Sequence, residues 1–191
     1  MPQTASDEVR VWDLPLRIFH WSLATSFLLC YLSEDDWVSL HVSVGYVMAG
    51  LLLFRLIWGF VGPQHARFND FVQRPAVILD YLKQTSRLSA PRYLGHNPAG
   101  GAMVLALMLV LSLCVLSGIA LYGSTDFAGP MAGWFRGALA ADILEESHEF
   151  LANLSVFLIL FHLGGVLFSS MAHGENLVKA MFTGMKKEQC Q

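Results

Sequence analysis

Four long stretches of the chain contain no charged residue, and they constrain its fold more than any other feature. They cover residues 18–33, 37–54, 93–125 and 150–172. A helix needs about 20 residues to cross the ~30 Å hydrocarbon core of a bilayer. With their flanks included, the stretches predict spans at about 17–33, 41–61, 99–121 and 147–168. The predicted fold class is therefore an all-α membrane protein, a four-helix transmembrane bundle.

Composition agrees with this class, because 54% of the 191 residues are hydrophobic and only 14% are charged. Soluble proteins of this size carry nearer a quarter charged residues. A signal peptide is the alternative for the first stretch, but no small-x-small cleavage site precedes Glu34, and His20 lies within the stretch. We expect it to be retained as a span, and residues 1–191 to form one domain.

The basic residues indicate how the chain crosses the membrane. Segments 1–17, 63–97 and 169–191 hold ten of the twelve Lys and Arg residues. The other two connections hold a single basic residue, Arg136, and seven acids: Glu34, Asp35, Asp36, Asp126, Asp142, Glu145 and Glu146. Lys and Arg near span ends stay cytoplasmic. Both termini and the 63–97 loop are thus predicted inside, and short interfacial helices are expected in that loop and in the tail 173–187.

Four histidines fall within the predicted spans: His20, His41, His148 and His162. The last two are 14 residues apart, so they face nearly the same way at about 40° offset and are separated by roughly 21 Å along one helix. The predicted crossing directions place His41 and His148 at the outer level and His20 and His162 at the inner level. The opposite pairing would separate the two ligands by roughly 20 Å, which no metal–nitrogen bond of ~2 Å allows.

Two imidazoles at each level suit haem iron, which they ligate axially without leaving an open position. Zinc would need three or four ligands at one depth. A lone histidine near a span end is more often interfacial, although ionisable residues within spans are functional by default. The chain has no C-x-x-C-H motif, which excludes covalent c-type haem attachment. Cys30, Cys114 and Cys190 are interpreted as small apolar packing residues.

Arg55 lies 14 residues after His41, on nearly the same helix face but at the inner level. It is expected either to pair with the propionates of an inner haem or to snorkel to the interface. Arg17, one turn before His20, is a weaker candidate for the propionates. Gly45 and Gly165 are candidates for making room for porphyrin rings, whereas plain helix–helix contact is at least as good an explanation of Gly50, Gly118 and Gly164.

Three further histidines, His65, His96 and His173, belong to predicted cytoplasmic segments. Solvated or interfacial roles are favoured for them, and proton handling or quinone contact is the alternative. The five tryptophans lie near span ends, as an aromatic belt would, and need no special role: Trp12, Trp21, Trp37, Trp58 and Trp134.

Several segments resemble the bacterial cytochrome b561 family, which includes the b-type cytochrome subunits of nickel–iron hydrogenases. The segments are Val11-Trp12-Asp13-Leu14-Pro15-Leu16-Arg17-Ile18-Phe19-His20-Trp21, Arg55-Leu56-Ile57-Trp58-Gly59-Phe60-Val61-Gly62-Pro63, Ala66-Arg67-Phe68, Gly95-His96-Asn97-Pro98-Ala99-Gly100 and His173-Gly174-Glu175-Asn176-Leu177. The resemblance implies a four-helix subunit with two bis-histidine haem b groups that exchanges electrons with a membrane quinone. It places the ligands at His20, His41, His148 and His162.

The resulting prediction is an electron-transfer subunit of the bacterial inner membrane, embedded in lipid. Electrons would pass between quinone near the inner haem and a periplasmic protein, such as a c-type cytochrome, a hydrogenase or another redox protein. One alternative is a quinone-linked oxidoreductase that acts directly on a small oxidant such as superoxide, and another is a haem-free anchor or small transporter. Nothing in the sequence indicates a nucleic-acid partner.

Overall fold

The computed structural model describes residues 8–33 and 37–188. Strand β1 (Glu8–Arg10) precedes helices α1 (Leu14–Leu32), α2 (Val38–Val61), α3 (Phe68–Phe71), α4 (Pro75–Ser86), α5 (Pro98–Thr125), α6 (Ala138–His173) and α7 (Leu177–Thr183), and strand β2 (Met185–Lys187) follows them. A short 3-10 turn, Gln64–Ala66, separates α2 from α3. Four residues named above, Glu34, Asp35, Asp36 and Cys190, lie outside the described ranges.

Three helices in the described part of the chain are long and apolar enough to cross a membrane: α2, α5 and α6. At about 1.5 Å per residue, their 24, 28 and 36 residues exceed the thickness of the hydrocarbon core. Only 6% of the most apolar window of α6 is buried inside the protein, so its hydrophobic side chains face outward. An outward apolar surface of this extent is typical of a protein whose solvent is lipid.

Helix ends follow local sequence signals. Asn97 caps the N-terminus of α5, since its Oδ1 accepts a hydrogen bond from Gly100 N at 2.7 Å and Pro98 occupies the first helical position. Asn176 caps the N-terminus of α7 in the same way, with its Oδ1 accepting a hydrogen bond from Lys179 N at 2.7 Å. The predicted short helices of the 63–97 loop and of the tail are confirmed by α4 and α7.

Helix α6 differs most from its predicted span, because it begins at Ala138 rather than near residue 147. The extra turns contain the acidic residues Asp142, Glu145 and Glu146, all exposed. The predicted span was ended near residue 147 because of these charged residues. A helix is held by backbone hydrogen bonds, however, so it can continue beyond the hydrocarbon core into the polar region. The prediction located the apolar segment and missed its polar extension.

The chain divides into two compact units. The first unit gathers described residues 8–21, 55–104 and 162–188, and the second unit gathers 22–33, 37–54 and 105–161. The second unit is built on a buried cluster of Met48, Leu52 and Leu111, against which Leu23, Phe27, Cys30 and Val115 pack. The first unit contains the two chain ends, which are joined by a small antiparallel sheet.

That sheet pairs Glu8 with Lys187 and Arg10 with Met185. Gly184 precedes β2 in a left-handed conformation (φ 82°), and its carbonyl accepts hydrogen bonds from Val11 N and Trp12 N at 2.9 and 3.1 Å. A Cβ atom at this position would lie 2.5 Å from the Trp12 carbonyl oxygen. Glycine is therefore required here by both backbone conformation and close approach.

The variant Gly184→Ala should weaken the junction between the chain ends. The left-handed conformation and the Trp12 contact together should cost about 1–3 kcal/mol, measured as a lower midpoint of thermal unfolding in detergent. Gly50→Ala is the matched control, because nothing lies within 4 Å of its Cβ position. Equal midpoints for the two variants would show that the junction contributes nothing to stability.

Candidate haem-binding site

The four histidines singled out from the sequence meet in two pairs, one in each unit. In the second unit, the imidazole of His41 on α2 faces that of His148 on α6, with ring centroids 5.9 Å apart and planes at 81°. In the first unit, His20 on α1 faces His162 on α6 at 6.4 Å and 52°. All four side chains are half-buried.

The separation of the rings is informative. Metal–nitrogen bonds of about 2 Å on opposite sides of one iron would place two imidazole centroids about 6 Å apart. Among the described residues, no group of three or more His, Cys, Asp or Glu side chains could hold a metal ion. The donor set therefore fits a bis-imidazole centre such as a haem, and it does not fit a tetrahedral zinc site.

Backbone carbonyls orient His41 and His148, the pair in the second unit. His41 Nδ1 lies 2.9 Å from the Cys30 carbonyl oxygen, and His148 Nδ1 lies 2.9 Å from the Cys114 carbonyl oxygen. A carbonyl can only accept, so the hydrogen of each ring is on Nδ1, and Nε2 is the nitrogen that could ligate a metal. Cys30 is near the end of α1, and its carbonyl also accepts hydrogen bonds from Ser33 N at 3.2 Å and Ser33 Oγ at 3.3 Å.

Glycines make room beside these rings. A Cβ on Gly118 would lie 2.7 Å from His148 Cε1, so α5 approaches the imidazole closely at this point. Gly45, one turn after His41, is half-buried, and nothing lies within 4 Å of its Cβ position. The open space at Gly45 suits a flat ring beside His41, and Gly118 lies against the imidazole of His148 rather than serving only helix contact.

Arg55 is one of the most buried side chains of the first unit, with 2% of its surface exposed. Its guanidinium carbon lies 5.0 Å from the ring centroid of Phe68 and 5.8 Å from that of Phe71. Both terminal nitrogens are buried without a hydrogen-bond partner among the described residues. The guanidinium does not snorkel to water, and its free donors suit the carboxylates of a haem propionate.

Arg17 is occupied differently. Its Nε donates to the Met181 carbonyl at 3.3 Å, and its Nη2 donates to the Phe182 carbonyl. These carbonyls belong to the last turn of α7, where they lack helical partners and where a cation is favoured. Arg17 therefore secures α7 to α1 in this structure.

His96 is not the solvated side chain expected from its loop position. Its ring lies between those of Trp12 and Phe71, with centroids 4.7 Å from each, and its buried Nδ1 has no partner among the described residues. Burial, with help from the nearby positive charges of Arg55 and Lys186, lowers the pKa of His96 to about 3. The imidazole is therefore neutral at physiological pH. His65 instead pairs with Asp70 at 2.9 Å.

Three tryptophans expected in an aromatic belt pack inside the first unit. Trp12 contacts His96, Trp58 donates from Nε1 to Asp13 at 3.0 Å, and Trp21 stacks on Phe182. Trp37 and Trp134 are exposed, as a belt requires. No signal in the sequence separates the two groups, because all five tryptophans lie near a span end.

Comparison with known proteins agrees with the geometry. Residues 11–184 match the prokaryotic cytochrome b561 family. Probable Ni/Fe-hydrogenase B-type cytochrome subunits are similar over most of their length: that of Bradyrhizobium diazoefficiens is 24% identical, covering 94% of this chain and 86% of the relative, and that of Azotobacter vinelandii is 25% identical, covering 93% and 88%.

The probable Ni/Fe-hydrogenase 1 B-type cytochrome subunit of Escherichia coli K12 is 30% identical over 63% of this chain and 64% of the relative. No solved structure matches. The family match extends from the residue after Arg10 to the glycine that precedes β2, so it includes both histidine pairs. The chain therefore belongs to the prokaryotic cytochrome b561 family and is a helical, haem-binding electron-transport protein of a membrane.

Proposed function

We propose that this protein carries electrons across the bacterial inner membrane through two haem b groups, from a redox protein at the periplasmic face to quinone at the cytoplasmic face. The observation that carries the proposal is the presence of two facing imidazole pairs, His41/His148 and His20/His162, with centroids 5.9 and 6.4 Å apart. Bound haem supplies one-electron chemistry. The chain supplies the ligands, their orientation and the surrounding charges.

The proposal includes four spans, with α1 crossing beside α2, α5 and α6. Helix α1 has 19 residues, which at about 1.5 Å per residue approaches the ~30 Å core. Two of its polar members are placed inward, since Ser26 is 7% exposed and His20 faces His162. With four spans, the distribution of basic residues puts both termini and the 63–97 loop in the cytoplasm.

The surroundings of the two pairs support a direction for electron flow. The carbonyls of Cys30 and Cys114 accept hydrogen bonds from the outer imidazoles, which strengthens these ligands and favours oxidised iron. The buried cation of Arg55 belongs to the same unit as His20 and His162, and a positive charge near the inner site would favour the reduced state. Electrons would thus move from the outer to the inner site and on to quinone.

The periplasmic partner is proposed to be a nickel–iron hydrogenase or a similar redox enzyme, because the relatives over most of the chain are named as hydrogenase cytochrome subunits. The predicted outer face also exposes Asp126, Asp142, Glu145 and Glu146. Acidic side chains would complement a basic docking surface and raise the association rate at low salt. A c-type cytochrome with a basic face would use the same residues.

The ligand assignment predicts which haem each substitution removes. His41→Ala and His148→Ala should each lose one of two haems, and His20→Ala and His162→Ala should each lose the other, because one imidazole alone leaves an axial position unfilled. Pyridine haemochrome counts and potentiometric titration identify the component lost. His65→Ala should retain both. Loss of one common component in His41→Ala and His162→Ala would show that the pairing is wrong.

Arg55→Leu should lower the reduction potential of the inner haem. Losing a buried charge interaction of about 1–3 kcal/mol corresponds to about 40–130 mV for one electron. Arg55→Lys is the matched control, since it keeps the charge and loses the planar fork, and its potential should fall less. Unchanged potentials in both variants would remove Arg55 from the inner site.

Gly118→Ala should disturb only the outer site. The added Cβ would lie 2.7 Å from His148 Cε1, so either the ring or α5 must shift. The expected result is haem content falling from two toward one per chain, with the lower-potential component lost. Gly50→Ala, with open space around its Cβ position, should keep full content. Full content in Gly118→Ala would mean that the contact with His148 is easily relieved.

A further inference from the structure

The end of α6 and the facing side of α7 enclose an open groove of about 610 Å³, within the volume range of small-molecule pockets. We call it the α6–α7 groove. Its apolar lining comes from Leu167, Met171, Val178 and Phe182, and its polar lining includes Asn176 and Lys179. All these residues belong to the first unit, which also holds His20 and His162.

The apolar side chains that line the groove are also exposed on the surface of the protein. Leu167, Met171, Val178 and Phe182 are 61%, 83%, 44% and 56% exposed. They lie on and just beyond the last turns of a helix apolar enough to span a membrane. In the proposed topology, the groove would therefore open where hydrocarbon meets the cytoplasmic interface. A molecule that enters here comes from the lipid phase and has an apolar body.

The polar lining offers hydrogen-bond donors. The Lys179 ammonium has no partner among the described residues, and Asn176, whose Oδ1 caps α7, keeps its amide NH₂ free to donate. The carboxylate of Glu175, by contrast, is taken by Arg92 and by Lys186 at 3.3 Å. An occupant that presents carbonyl or hydroxyl oxygens would match these donors.

An aromatic path joins the groove to the inner histidine pair. Phe182 lines the groove and stacks on Trp21, with centroids 4.2 Å apart and planes at 19°. Trp21 in turn meets His20 edge-on, at 5.1 Å and 87°. Arg17 holds the Phe182 and Met181 carbonyls, so the stack is fixed to α1. This path would serve no purpose for an ordinary lipid in the groove, whereas a redox-active lipid could exchange electrons along it.

We infer that the α6–α7 groove is the quinone site, with Lys179 and Asn176 binding the head-group oxygens and Phe182 and Trp21 linking the ring to His20. The inference rests on the proposed function and gives it a location. Reduction of one quinone takes two electrons, and a haem held by His20 and His162 would supply one-electron chemistry for it. Two protons from cytoplasmic water complete two O–H bonds, giving quinol.

Photolabelling tests the location directly. The haem-loaded protein in detergent is irradiated with an azido-ubiquinone, digested and analysed by mass spectrometry. Labels within residues 167–182, reduced by excess decylubiquinone and not by excess phospholipid, are the expected result. Labels confined to other segments would overturn the inference, and labels displaced equally by phospholipid would make the groove a lipid site.

Kinetics test the assigned residues. Protein reduced with limiting dithionite is mixed anaerobically with decylubiquinone, and haem reoxidation is followed at the Soret band. Phe182→Leu and Lys179→Met should each slow reoxidation at least about tenfold, the equivalent of about 1.4 kcal/mol, while reoxidation by ferricyanide and haem content stay unchanged. Phe168→Leu and Lys83→Met, which alter exposed residues outside the groove lining, are the matched controls.

The outcomes separate the two proposals. If the wild-type protein is reoxidised by decylubiquinone and both groove variants match their controls, the groove is wrong and the proposed function stands. If no quinone reoxidises the wild-type protein while ferricyanide does, the quinone half of the proposed function fails together with the groove. Phe182→Leu could lose its fold, which haem counting would reveal, and Lys179→Met then decides.

Discussion

The structure depends on pairs of imidazoles that face each other across about 6 Å within apolar helices. The ring centroids lie 5.9 Å apart in the His41/His148 pair and 6.4 Å apart in the His20/His162 pair. Polar ring nitrogens in such surroundings cost free energy unless something binds them. In the proposed centres, an iron between the two rings would offset that cost for one nitrogen of each ring.

Binding of an iron by such a pair would connect two helices, in addition to providing an electron carrier. His162 and His148 are on α6, whereas their partners are on α1 and α2, so each metal centre would tie α6 to a different helix. Helix association in lipid lacks the hydrophobic driving force that operates in water. Axial ligation can supply that missing association energy, and folding is then coupled to cofactor binding as in other metalloproteins.

The sequence predicted the helices and the histidine pairs better than it predicted the inner surroundings. Uncharged stretches and a 14-residue spacing are local and periodic features, so α2, α5, α6 and the pairing of His20 with His162 could be inferred from them. The resemblance of several segments to a known family added the ligand assignment, and the family itself is confirmed. The ligand roles stay predictions.

The parts that were missed depend on contacts between segments distant in sequence. Trp21 stacks on Phe182 across 161 positions, and Arg17 reaches carbonyls 164 and 165 positions away. Neither contact has a periodic signal. Gly118 also has no such signal, because its neighbour His148 is on another helix. His96 was expected to be solvated because it lies in a loop, and its burial depends on contacts with distant segments.

These long-range contacts share one consequence for the inner site. The β1–β2 sheet, the hydrogen bonds of Arg17 and the Trp21–Phe182 stack all fasten the C-terminal segment to residues 8–21, the part of the chain that includes His20. Three independent attachments within so few residues restrict the motion of α7 more than any one of them would. Electron exchange is sensitive to small displacements of the donor and acceptor, as other reactions are to misplacement of about 1 Å. A tail that serves only to end the chain would not need this restraint, whereas a tail that forms one wall of a redox site beside His20 would.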